Sequence, residues 1–138
     1  MTLSANSIIT PQTPKSNHLS QAFTANATYT TTPTNSVLLV TAGVNGSRLT
    51  KLRAIPTATV AATQLQEFRS LDTGTTKKFS NAALGAASGY TMAGGTLPPI
   101  ADFGYSDSNP KILGAGEQLY VAVGVSGSWA FEAEWADY

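Results

Sequence analysis

Cysteine is absent from the 138 residues. That excludes a disulfide framework, a thiolate nucleophile and a Cys-based zinc site, and leaves packing or assembly as the source of stability. Histidine occurs once, at His18, in a stretch rich in Thr, Ser, Asn and Pro that offers a general base no rigid support. Charge is scarce: 12% of residues are charged, and eight Lys and Arg balance eight Asp and Glu. A long basic groove for nucleic acid is therefore not expected. With no net charge to hold molecules apart, the surface is expected to be covered in an assembly, as a homo-oligomer or a bound subunit. No run approaches the roughly 20 apolar residues that cross a bilayer, and the N-terminus has neither a basic nor an apolar signal region. Neither a membrane partner nor Sec export is expected.

The motifs of chemistry are missing too. No Ser stands in a Gly-x-Ser-x-Gly elbow; Gly85-Ala86-Ala87-Ser88-Gly89 puts its Ser one place too late. No phosphate loop ending in Gly-Lys-Ser/Thr is present, and the glycines from Gly85 to Gly95 lack the strand and helix of a nucleotide fingerprint. Asn26-Ala27-Thr28 and Asn45-Gly46-Ser47 match the glycosylation acceptor pattern, which arises readily by chance in so Thr-, Ser- and Asn-rich a chain. Glu132 and Glu134, which Asp137 or Asp102 and Asp107 could join, are candidates for a carboxylate pair or a calcium site. Alternate acids on one strand face read better as solvent-facing residues that discourage edge pairing. The chain is accordingly read as a non-enzyme with no cofactor and no metal.

What the sequence does contain is period-two alternation. Leu119, Val121, Val123 and Val125 fall on one face of a strand; after a turn at Ser126-Gly127, Trp129, Phe131, Ala133 and Trp135 fall on one face of the next. The spacing predicts a terminal β-hairpin with one apolar face, on which Trp129 and Trp135 are expected to be buried beside Phe131 and not displayed to stack on sugars. Upstream, Ser36–Ala42 is a β-branched run closed by Gly43, and Asn45-Gly46 is a hairpin signal leading into a strand over 47–55. Leu49, Leu52 and Ile55 alternate imperfectly there with Arg48, Lys51 and Arg53, so a bulge or an exposed face is expected. Residues 57–71 are read as strand, turning at Asp72-Thr73-Gly74-Thr75 so that Thr76–Phe79 pairs back; 82–93 reads as a short helix or a small-residue loop. Turns at roughly ten-residue intervals indicate an all-β fold: an antiparallel β-sandwich, jelly-roll-like, or a small β-barrel.

Residues 1–35 have few bulky apolar side chains and are interrupted by Pro11, Pro14 and Pro33. They are read as an extended N-terminal arm, with Ile8, Ile9, Leu19, Phe23 and Tyr29 as anchors for a neighbour's groove, and 36–138 as the β-sandwich domain.

Four stretches carry a resemblance: Asn6-Ser7-Ile8-Ile9-Thr10-Pro11-Gln12-Thr13-Pro14, Asn45-Gly46-Ser47-Arg48-Leu49-Thr50-Lys51-Leu52-Arg53-Ala54-Ile55-Pro56, Phe103-Gly104-Tyr105-Ser106-Asp107 and Leu113-Gly114-Ala115-Gly116-Glu117-Gln118-Leu119-Tyr120. Together they resemble small virion proteins of tailed bacteriophages, in particular head decoration or cement proteins. The resemblance implies a β-sandwich or β-tulip fold, a trimer or other homo-oligomer seated on the major capsid protein, and termini that reach neighbouring subunits. It places the protein on the capsid surface of a virion after synthesis in the bacterial host cytoplasm. Arg48, Lys51 and Arg53 are then candidate contacts for an acidic capsid surface, beside the arm anchors. The alternative is a phage fibre or receptor- or carbohydrate-binding β-sandwich module, which needs several of Tyr105, Trp129, Trp135 and Tyr138 exposed and clustered.

Overall fold

Alternation in the last strand organises the molecule. Trp129, Phe131, Ala133 and Trp135 are buried, while Glu132 and Glu134 face outward, so burying one face of this strand demands a second layer opposite it. The computed structural model, which describes residues 13–30 and 33–138, supplies that layer from a second antiparallel sheet. Nine strands follow in order: β1 (Thr13–Phe23), β2 (Val37–Thr41), β3 (Ser47–Pro56), β4 (Thr63–Ser70), β5 (Lys78–Gly85), β6 (Ala101–Asp102), β7 (Lys111–Leu113), β8 (Gln118–Val123) and β9 (Gly127–Asp137). Sheet A has the order β1-β9-β3-β6, with β7 on the same edge of β3, and sheet B has the order β2-β8-β4-β5. The two sheets face each other without closing, so the fold is a β-sandwich and not a barrel. Among the described residues there is no helix.

The core lies between the sheets. Leu49, Leu52, Trp129, Phe131 and Ala133 from sheet A meet Leu65, Leu119, Val121 and Val123 from sheet B, all fully buried. Phe131 is packed edge-on by Phe23, ring centres 5.2 Å apart. Gly85 is required by close approach: a Cβ there would stand 2.8 Å from the Trp129 ring.

Two expected hairpins are not hairpins. β8 and β9 belong to opposite sheets, and so do β2 and β3. Ser126-Gly127 and Asn45-Gly46 turn the chain from one layer to the other, with Gly46 at φ 87° and its N–H bonded to Gly43 O at 3.0 Å. The physical reason is that two strands with one apolar face each satisfy both faces by lying opposite each other as well as side by side. The turn at 72–75 is a true hairpin, joining β4 and β5. Ala82–Gly85, expected as helix or loop, completes β5, where it pairs with Thr63–Gln66.

The imperfect alternation of β3 is a bulge. Its pairing with β9 shifts between Leu49 and Lys51, so Thr50 is the extra residue; Leu49 and Leu52 both point inward, and Arg48, Lys51 and Arg53 are left on the outer face.

The stretch read as an arm is extended but lies on the body. β1 pairs in unbroken register with β9, from Thr13 opposite Asp137 to Phe23 opposite Gly127. The chain then crosses to sheet B, where Ala25 bridges Val123 and the Asn26 N–H donates to Val123 O at 2.8 Å. Polar composition did not prevent this, because sheet pairing uses backbone groups that every non-proline residue carries. Ile8 and Ile9 lie outside the described residues.

Candidate functional site

The outer face of sheet A carries a cluster of charged side chains. β3 presents Arg48, Lys51 and Arg53 there, and the neighbouring β9 presents Glu132 and Glu134. Lys51 Nζ sits 3.1 Å from Glu134 and 3.7 Å from Glu132, Arg53 is 3.4 Å from Glu132, and Arg48 is 3.7 Å from Asp107. Arg48 also donates to the Asp107 carbonyl. The three cations are thus interleaved with three anions in a charge-balanced mosaic and do not form a free basic strip. An open groove of about 580 Å³ crosses this face, lined by Pro14, Ser16, Arg48, Thr50, Asp107 and Glu134.

β1 forms the border of that face. Ten of its eleven residues are exposed or half-buried, and no described strand pairs with its far edge. It is held to the body at both ends. Lys15 bridges Asp137 at 2.7 Å, and Asp137 accepts from the Ser47 hydroxyl. Burial pushes Asp137 up, but those two donors outweigh it and hold the carboxyl below its ordinary range. At the other end, Phe23 enters the core.

The other proposed arm anchors are used within the molecule. Leu19 packs half-buried against the core. Tyr29 is half-exposed, stacks on Phe79 with ring centres 4.6 Å apart, and donates from its hydroxyl to Gln64. Residues 24–30 form a strap over the outer face of sheet B. It is fastened by the buried Asn26, whose Nδ2 donates to Gln66 Oε1 at 2.9 Å while Gln66 Nε2 donates to Asn26 O at 3.0 Å.

Trp129 and Trp135 lie in the core, fully buried and 8% exposed, so neither is placed to stack on a sugar. Tyr105 is half-buried in an interior polar cluster that composition and spacing did not reveal. Lys111 of β7 reaches Glu67 of β4 at 2.5 Å, and the fully buried Glu67 also accepts from the Tyr105 hydroxyl at 2.9 Å. Burial, followed by the adjacent Glu67 charge, pushes the Tyr105 phenol well above its usual range. At the neighbouring end, Arg69 grips Glu117 through two bonds of 2.5 and 2.7 Å. Burial pushes Glu117 up, and the Arg69 bonds, with the Gly114 N–H, more than reverse it. The one signal available was Glu67 falling at an inward position of β4, where Leu65 precedes it in alternation.

Glu132 and Glu134 are engaged with Lys51 and Arg53, and His18 stands opposite Glu132 on the exposed β1. Among the described residues, no three His, Asp or Glu side chains converge as a metal site requires.

No family model matches the chain, and no curated protein matches it. Among solved structures, it is similar to a chain in the cyanophage Pam1 capsid asymmetric unit, with a TM-score of 0.46 and 17% identity, over 100% of this chain and 94% of that chain.

Proposed function

We propose that the protein is a non-enzymatic structural component of a phage virion that seats on the outside of the capsid and stabilises it. In this reading it acts as a homo-oligomer, a trimer, against the major capsid protein, after synthesis in the host cytoplasm. The observation that carries the reading is β1: eleven residues at a sheet edge that no other described strand covers, bordering a charge-balanced face. An open strand edge offers a partner a row of backbone donors and acceptors and is a hazard when left bare. The low overall charge suits a surface that ends up covered, and the resemblance to decoration proteins supports a capsid as the cover. A face of paired charges selects a partner by complementarity of pattern and not by net sign. Repetition of weak contacts across an oligomer then gives firm attachment.

The test is co-sedimentation of the purified protein with expanded, empty phage heads, with head disruption on heating as a second measure. Binding that saturates and raises the disruption temperature is expected; no binding overturns the proposal. Deletion of residues before Asn35 is the wrong probe, because it removes β1 and the strap. Proline placed in turn at Asn17 and His18 is the better one. Adjacent strand residues point their N–H groups to opposite edges, and the His18 N–H bonds the Asn17 side chain at 2.9 Å, so His18→Pro alters the free edge and that local bond, whereas Asn17→Pro breaks the β1–β9 ladder and the 2.8 Å bond from Asn17 Nδ2 to Leu39 O. The variant that keeps the native unfolding midpoint is expected to lose head binding.

A further inference from the structure

We propose that Lys111 and Asn81 become joined by a side-chain amide bond, formed by the folded protein itself with Glu67 as the proton acceptor. This inference stands apart from the capsid reading and rests on the interior cluster. Lys111, Asn81 and Glu67 come from three strands, β7, β5 and β4. Glu67 and Asn81 are direct cross-strand partners, so their side chains rise together from the inner face of sheet B, with Cβ atoms about 5 Å apart. Lys111 reaches them from sheet A, its Nζ 2.5 Å from Glu67 Oε2. One phenol oxygen links all three groups: Tyr105 accepts from Lys111 Nζ at 3.1 Å and from Asn81 Nδ2 at 3.0 Å, and donates to Glu67 Oε1 at 2.9 Å. Amine and amide are therefore separated by no more than two hydrogen bonds laid end to end, within the swing of a lysine side chain.

Each requirement of amide exchange has a group in place. An amine attacks only when neutral, and Glu67, fully buried, is positioned to take the proton. The Asn81 carbonyl must be polarised, and its Oδ1 accepts from the Ala82 N–H at 2.8 Å, a donor placed where negative charge would develop. The departing nitrogen needs a proton, and the Tyr105 hydroxyl touches it; with its phenol held protonated well above the usual range, Tyr105 serves as a relay. The atoms balance without a co-reactant. The Lys111 ammonium passes one proton to Glu67, and its lone pair attacks Asn81 Cγ. The Nζ–Cγ bond forms and the Cγ–Nδ2 bond breaks, and a second proton moves from Nζ to Nδ2 by way of Glu67 and Tyr105. Ammonia leaves, and carries off the proton held by Glu67 as ammonium. The product ties β7, on sheet A, to β5, the edge of sheet B, a covalent link between the layers in a chain that has no cysteine to supply one.

Intact mass spectrometry of the purified full-length protein, followed by peptide mapping, tests this. The expected result is a mass below that of the sequence by one ammonia, a branched peptide joining residues 81 and 111, and restoration of the full mass in Lys111→Arg and Glu67→Gln. A wild-type protein at its full sequence mass after prolonged incubation overturns the proposal. A deficit that persists in Lys111→Arg also overturns it, because cyclisation of Asn81 onto the following backbone nitrogen loses ammonia without the lysine. The branched peptide is sought in the wild-type protein, so the outcome does not depend on a variant folding.

Discussion

β1 and β9 are eleven-residue strands paired along their whole length, yet they hold the fold by different means. Next to the centre of the ladder Leu19 stands opposite Phe131. Phe131 is fully buried, with the Phe23 and Phe103 rings 5.2 and 6.5 Å from its own, while Leu19 is only half-buried. β9 is secured by side chains and would be lost only with the core. β1 is secured by backbone bonds, a clamp at Lys15 and an anchor at Phe23, so it belongs to the body although no described strand covers its other edge. A strand can thus be structurally integrated through one backbone edge and a few inward side chains, Lys15, Asn17, Leu19 and Phe23, while most of its residues stay exposed.

The sharpest way to break this comparison is to truncate both members of that pair. Phe131→Ala is expected to cost about 3–5 kcal/mol, and Leu19→Ala about 1 kcal/mol, in keeping with partial burial, both read from urea unfolding midpoints. Equal losses would mean that β1 contributes to the core as β9 does.

The next effect concerns the strap that continues β1. Asn26→Ala removes the donor to Gln66 Oε1 and the 2.8 Å bond from Nδ2 to Thr28 O. Both Asn26 and Gln66 are about 1% exposed, so the acceptor is left buried without its partner, at a cost of about 1–3 kcal/mol. Hydrogen exchange of residues 24–30 should accelerate more than that of β9. Uniform acceleration would show that the strap and the core open as one unit.

β9 was legible in the sequence and β1 was not, for the same reason. Trp129, Phe131, Ala133 and Trp135 alternate because burial selects their side chains, and the pattern survives in the letters. In Thr13–Phe23 the inward positions hold Lys15, Asn17, Leu19 and Phe23, two of them polar, so no apolar alternation appears, and most of the strand's pairing is made by peptide groups common to all residues. The apolar faces were therefore read correctly for β9 and for Leu119, Val121 and Val123, while Val125 lies beyond β8 and is exposed and Ala122 on the other face is buried; neighbours were not read, because alternation does not state that the two apolar faces meet across the sandwich. The β3 bulge was legible because Leu49 and Leu52 break the period. The Glu67, Lys111, Tyr105 and Asn81 cluster was not, since it assembles residues from distant segments.

The clamp at the start of β1 gives a pH test of the comparison. Asp137 and Glu117 both titrate below their ordinary ranges in the folded protein. The unfolded chain therefore takes up protons first as pH falls. Their contribution is full at neutral pH, begins to fall near the ordinary carboxylate values of about 4, and is lost as pH drops through the lower native values. Lys15→Met should shrink that acid-side loss. Because Lys15 is about half exposed, its removal is expected to cost below about 1 kcal/mol at neutral pH. An unchanged acid slope would mean that Ser47 and the Gly43 N–H hold Asp137 without Lys15.

The smallest stability effect is expected on the outer face, at Lys51→Ala. Lys51 lies between Glu134 at 3.1 Å and Glu132 at 3.7 Å, with all three side chains a third to a half exposed. Such pairs contribute about 0–1 kcal/mol, and Arg53 still faces Glu132 after the change. The unfolding midpoint should barely move. Head binding should respond far more, because removing one cation unbalances the mosaic and leaves Glu134 without its partner where a covering surface must match it. Measured together at several salt concentrations, the two readouts separate the roles of the strands. A variant that folds as the wild type but binds heads several-fold more weakly makes the β3 and β9 outer face part of the attachment surface. Unchanged binding would confine attachment to the free edge of β1.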